Sequence, residues 1–198
     1  MKTVVFLLGA YLLGSLSPGY FLVKLKARKD IREIGSGSTG ATNVLRYQGW
    51  KLAIPVMLFD LFKGFLPVYL ANLLFIDKRM SLLGLLAAVA GHCFPFYLKF
   101  RGGKGVATSI GGFLFLAPGP MLVCLTIILI MLLIFRYVSL ATLTGLFLFP
   151  FLAFLFGRDK FILLGGLLIF IIIAWRHKEN IKRLLQGQER KFGEKINA

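Results

Sequence analysis

Apolar residues in this chain fall into long runs, separated by short stretches dense in glycine, hydroxyl and basic side chains. The runs cover 3–23, 52–76, 81–98, 138–156 and 161–175, and a further one extends over 109–135. Each reads as a helix that is apolar all round. A soluble core would have to hide several such helices behind very little polar surface, whereas a bilayer accepts them directly. The run 109–135 is 27 residues long and carries Ala117-Pro118-Gly119-Pro120 in its middle. Two prolines remove two backbone donors and restrict the residues before them. The stretch is therefore one kinked span or two short helices joined by a tight turn.

Loop charge chooses between these. With two helices there are seven spans, and the loops 24–51 and 99–104, Arg136 and the tail 176–198 share one side. That side then holds 18 basic residues against 5 on the other. With one kinked helix the split is 12 against 11. Because Lys and Arg collect in cytoplasmic loops, the pattern predicts an all-α integral membrane protein of seven helices, N-terminus outside and C-terminus cytoplasmic. A helix from about Gly105 to Ala117 would be only ~20 Å long in a bilayer of about 30 Å. It would need shelter or a locally thinned membrane.

Composition agrees. The 198 residues are 58% hydrophobic and 16% charged, with mean hydropathy +0.80. A soluble norm is roughly 45–50% apolar and about 25% charged. One domain, 1–198, is expected. Lys2 followed by an apolar run imitates a signal peptide, but no small-residue cleavage site follows, so an uncleaved first span is predicted. Cys93 and Cys124 lie in apolar surroundings without metal-like spacing and read as packing residues. The excess of 24 basic over 8 acidic residues points to anions as partners. Nucleic acid is excluded, because the cations sit between membrane runs and not along one soluble face. Topogenic placement explains most of them, but not those embedded in glycine-rich segments.

Three such segments carry the chemistry, and the charge count puts all three on the cytoplasmic side. The first is Gly35-Ser36-Gly37-Ser38-Thr39-Gly40-Ala41-Thr42-Asn43, followed by Arg46. Glycines let successive N–H groups turn inward as an anion nest, and hydroxyls add donors. A helix starting near 39–42 would add its N-terminal N–H groups, and Arg46 could fork onto the same anion. The spacing does not fit a P-loop. The second runs from Gly91 and His92 to Gly102-Gly103-Lys104-Gly105 and Ala107-Thr108, where glycines and one ammonium again precede an apolar helix. His92 reads as structural rather than catalytic. The third starts at Arg176-His177 and continues through Asn180, Gly187 and Glu189. On a helix, His177 and Asn180 would share a face. Within a span, Asp60 and Lys63 stand at i,i+3 and are expected to pair, as a functional or a structural ion pair.

Together, GSGSTGATNVLR at 35–46, GHCFPFYLKFRGGKGVAT at 91–108 and RHKENIKRLLQGQE at 176–189 resemble the acyl-phosphate-dependent glycerol-3-phosphate acyltransferases of bacteria, the PlsY type. The resemblance spans nearly the whole chain. It implies acyl transfer from acyl phosphate to the 1-hydroxyl of glycerol 3-phosphate at the bacterial inner membrane, the first step of phospholipid synthesis. It also implies no cofactor or metal, and neither acyl-CoA nor acyl carrier protein as donor. Consistently, the His-x-x-x-x-Asp signature of other glycerolipid acyltransferases is missing: Tyr97 lies five residues after His92, and Lys182 five after His177. Phosphate is already a good leaving group, so no covalent intermediate is needed. Lys104, His177, Asn180 and Ser38 are the expected catalytic residues. Gly35, Ser36, Gly37, Thr39, Gly40, Thr42, Asn43, Arg46, His92, Gly102, Gly103 and Gly105 are expected to bind substrate. His177 is either a general base or an orienting group, with a phosphate oxygen of the donor taking the proton. An anion transporter or a nonenzymatic lipid scaffold are the rival readings. The first predicts polar residues spread through the membrane depth, and the second leaves the paired glycine-rich segments without a purpose.

Overall fold

A computed structural model describes residues 1–77 and 79–196, and among them every regular element is helical. The chain forms two compact units, one of residues 1–112 with 193–196 and one of residues 113–192.

In the first unit, α1 (Lys2–Ser15) and α2 (Pro18–Ala27) divide the first apolar run. Pro18 lacks an N–H to continue α1 and suits the first turn of α2. Lys2–Ala27 together is still long and apolar enough to cross a membrane. A 3₁₀ turn at Ile31–Glu33 leads through the first glycine-rich loop to α3 (Ala41–Gln48), α4 (Trp50–Leu74) and α5 (Arg79–Cys93). A second 3₁₀ turn, Phe96–Leu98, precedes α6 (Val106–Leu116), whose first residues close the unit. The helices α1 and α4 both pack on α5. Small residues let backbones approach: a Cβ at Gly14 would strike the Ala88 carbonyl, and one at Gly91 the Tyr11 carbonyl.

The second unit contains α7 (Pro118–Phe135), α8 (Val138–Leu155), α9 (Lys160–Arg176) and α10 (Lys178–Leu185). The helix α8 packs against α7 and α9, and α10 touches both α8 and α9. Ala117 separates α6 from α7 with φ −148°, ψ 68°, so the proline-bearing stretch is two helices, as the loop charges required. Only 17% of the apolar window of α7 is buried. Its outward Leu129, Ile130 and Leu133 make sense only against lipid.

Among the described residues, five spans meet the length and hydropathy of a membrane crossing, and a sixth counts if α9 and α10, bent by 65°, are taken as one. The 11-residue α6 falls short of that length, so geometry alone returns five or six crossings where loop charge predicts seven.

Candidate active site

The first loop is shaped from within. Gly35 and Gly37 take φ +64° and +68°, a left-handed turn that side chains resist. Asn43 then ties the loop to the start of α3. Its buried Nδ2 donates to the carbonyls of Ile31 (3.2 Å), Ile34 (2.9 Å) and Ser38 (2.9 Å), while Oδ1 accepts the Ser36 N–H at 3.1 Å. Asn43 therefore spends its amide holding the loop's shape. Ser38 Oγ accepts the Gly40 N–H at 3.3 Å. Ser38, Thr39 and Arg46 are buried, whereas Ser36 and Thr42 are half-buried. Gly40 caps α3, whose first turn carries no acidic residue, so its unpaired N–H groups and dipole favour an anion there. The Arg46 carbonyl accepts the Ile196 N–H at 3.0 Å.

The second loop folds back over the end of α5. Gly102 N–H donates to the Cys93 carbonyl (3.2 Å) and Gly103 N–H to the His92 carbonyl (3.0 Å). A Cβ at Gly103 would collide with His92 Nε2. Gly105, at φ +87°, turns the chain into α6, and Lys104 stands half-buried just before that start. Arg32 joins the two 3₁₀ turns that lead into the loops. It donates to the Leu98 carbonyl at 2.9 Å and is clasped by Asp30, with Nη2–Oδ2 at 2.6 Å. The Arg32 hydrogen bonds hold the Asp30 carboxyl below the usual carboxylate range. Tyr97 hydroxyl donates to the Ser15 carbonyl (2.8 Å) and accepts the Ser17 N–H (3.1 Å), fastening the turn before the loop to the break between α1 and α2.

Beneath the second loop lies a polar group that sequence reading found only in part. Lys63 and Asp60 pair at 2.8 Å, as their spacing predicts. His92 Nδ1 also lies 3.4 Å from the same Asp60 oxygen, and Lys63 Nζ donates to the Leu16 carbonyl at 2.7 Å.

In the second unit, His177 is not on the face of a continuous helix. It is the corner residue between α9 and α10. Its Nδ1 lies 2.8 Å from the Ile173 carbonyl. A carbonyl only accepts, so Nδ1 carries the hydrogen and the neutral ring keeps Nε2 as its acceptor. Asn180 Nδ2 donates to Glu189 Oε1 at 2.7 Å, Ser139 Oγ to the same oxygen at 3.1 Å, and Arg183 Nε to Oε2 at 2.8 Å. His177, Asn180 and Glu189 are all buried. Glu189 stood in the quoted motif without a role. The turn at Gly187, φ +67°, carries it back onto α10, and three donors justify its burial.

The first unit thus contains the predicted residues of the first two segments, with Arg32 bonded across to Leu98, and the second unit contains His177 and Asn180, each held by its own partner. These features define a class: a polytopic membrane protein with glycine-turned, basic loops between its apolar helices. The family described as glycerol-3-phosphate acyltransferase matches residues 4–187. The glycerol-3-phosphate acyltransferase of Fusobacterium nucleatum subsp. nucleatum is 40% identical over 195 residues, covering 97% of this chain and 99% of its own. That of Thermus thermophilus is 43% identical, over 97% of this chain and 96% of its own. The crystal structure of PlsY (YgiH), an integral membrane glycerol 3-phosphate acyltransferase, in its glycerol 3-phosphate form is similar with TM-score 0.92 at 39% identity. It covers 98% of this chain and 96% of that one. Its lysophosphatidic acid form gives TM-score 0.88 at 36% identity. The chain belongs to the glycerol-3-phosphate acyltransferase family, integral membrane enzymes of phospholipid synthesis.

Proposed function

We propose that the protein transfers a fatty acyl group from acyl phosphate to the 1-hydroxyl of glycerol 3-phosphate, giving lysophosphatidic acid and inorganic phosphate. The observation that carries this reading is a repeated device in the first unit. Twice, a loop turned by left-handed glycines runs into a helix start, with Lys104 two residues before α6 in one case and a buried Arg46 in the last turn of the short α3 in the other. Two phosphorylated substrates account for two anion sites. A thioester donor, on acyl carrier protein or coenzyme A, carries sulfur and not a phosphoryl group on its acyl carbonyl, so it would put no phosphate next to the reacting carbon.

The hydroxyl oxygen of glycerol 3-phosphate attacks the acyl carbonyl carbon. The new C–O bond forms as the bond to phosphate breaks, and the hydroxyl proton passes to an oxygen of the departing phosphate. The 35–43 loop with Arg46 holds one phosphate. Lys104 with Gly102, Gly103 and Gly105 neutralises charge that grows on the transferring group. Ser36, Ser38, Thr39 and Thr42 supply hydrogen bonds. His177 and Asn180 orient glycerol 3-phosphate; His177 Nε2 is the alternative proton acceptor. No metal or further cofactor enters this scheme.

The 18-to-5 split of basic residues supports seven crossings, with α6 a short one, and polar loops at the cytoplasmic face of the inner membrane. The chain then acts as one catalytic domain, 1–198, with the acyl tail lying among lipid-facing helices. The test is purified protein with acyl phosphate and glycerol 3-phosphate, read as phosphate release. Lys104→Ala should abolish it; full turnover by that variant would remove Lys104 from the site.

A further inference from the structure

Asp60, Lys63 and His92 are the most deeply buried polar cluster in the first unit, at 2%, 0% and 6% exposure. A buried ion pair is weak ground for stability, since an apolar pair of like size often serves as well. Here the pair is not isolated. Asp60 Oδ1 faces His92 Nδ1 at 3.4 Å, and the far edge of that ring is pressed against Gly103, where a Cβ would strike Nε2. Gly103 also donates its N–H to the His92 carbonyl. The imidazole is thus a wedge between a carboxylate of α4 and the backbone of the second loop. One residue past Lys63, Gly64 lies against the Thr108 carbonyl, with no room for a Cβ. A single turn of α4 therefore meets the segment 102–108 at both ends, through His92 before Lys104 and through Gly64 after it. Lys63 anchors that turn to the Leu16 carbonyl, which the break at Pro18 releases from helical bonding.

We infer that Asp60 is a positioning residue for the Gly102–Gly105 loop, acting through His92, so that α4 sets where Lys104 stands. This rests on the proposed role of Lys104 in acyl transfer.

The experiment is steady-state kinetics of the full chain with acyl phosphate and glycerol 3-phosphate, with a thermal midpoint for each variant. Asp60→Asn and His92→Ala should each lower kcat about 10- to 100-fold, the scale of a displaced catalytic group, and leave KM nearly unchanged. The Asp60→Asn/His92→Ala pair should be no slower than its slower parent. Asp60→Asn/Lys63→Met removes both buried charges at similar size. It should keep the thermal midpoint yet remain as slow as Asp60→Asn. Wild-type kcat in this last variant, or losses that multiply in the Asp60/His92 pair, would overturn the inference. Lys104→Ala, measured alongside, reports on a different claim. Full turnover there sinks the Lys104 assignment, whereas non-additive losses at Asp60 and His92 still establish that the loop is held through them.

Discussion

Asn43 carries more of the first loop than any hydroxyl or glycine in it. Four hydrogen bonds converge on one buried amide, and they act on both ends of a segment whose glycines impose no shape of their own. Asn43→Ala takes the side-chain partner from the Ser38 carbonyl and the Ser36 N–H, while the carbonyls of Ile31 and Ile34 keep the N–H groups of Ile34 and Gly37. The cost is about 1–3 kcal/mol for each buried group left unsatisfied. Loop relaxation will recover part of that. The expected outcome is a thermal midpoint measurably below wild type and phosphate release reduced at least about tenfold, since misplacing binding groups by an ångström is that damaging. Asn43→Asp should fare no better, because it turns an oxygen toward three carbonyl oxygens. Wild-type activity in both variants would show that the loop does not depend on this residue. Much at this scale was legible in the sequence: the glycines flagged turned loops, and the helix starts at Ala41 and Val106 fall where the loops predict them. That Asn43 shapes the loop was not legible. Its partners lie 5 to 12 residues upstream in backbone whose path no side-chain pattern records.

Among the elements, proline and glycine decide most. Pro118 separates α6 from α7 and Pro18 separates α1 from α2. Both breaks have the same chemical cause, yet only one was visible in advance, because Ala117-Pro118-Gly119-Pro120 puts two prolines in the middle of a 27-residue run and the loop charges favour two helices there. Ser17-Pro18 hides inside a run of ordinary span length. The contact of α1 with α5 depends on glycine at both faces, so Gly91→Ala must push a methyl group toward the Tyr11 carbonyl. Overpacking of this kind costs about 1–3 kcal/mol. A lower thermal midpoint in detergent is expected, with kcat per folded molecule largely kept; an unchanged midpoint would show that the two helices can part freely. The His92–Asp60 contact was unreadable for a related reason. The residues are on different helices, and only the packing of α4 on α5 brings them within reach. The Glu189 clasp likewise follows from a reversal at Gly187 that no periodicity announces.

At the scale of the whole molecule, composition alone decided the class. Helices such as α7, with so little of its apolar surface covered, have no stable form in water. The crossing number is less direct, because the short α6 fails a length criterion that loop charge does not use. What unites residues, loops and spans is the proposal that apolar helices hold a lipid-soluble acyl donor while glycine-turned loops grip its phosphate and that of the acceptor. The most direct measurement supplies the purified protein with glycerol 3-phosphate and one acyl donor at a time: acyl phosphate labelled in its phosphoryl group, acyl-CoA, or acyl carrier protein loaded with the same chain. Labelled inorganic phosphate and lysophosphatidic acid should appear in equal amounts from acyl phosphate, and the two thioesters should give no product. Equal or faster lysophosphatidic acid formation from either thioester would contradict the account.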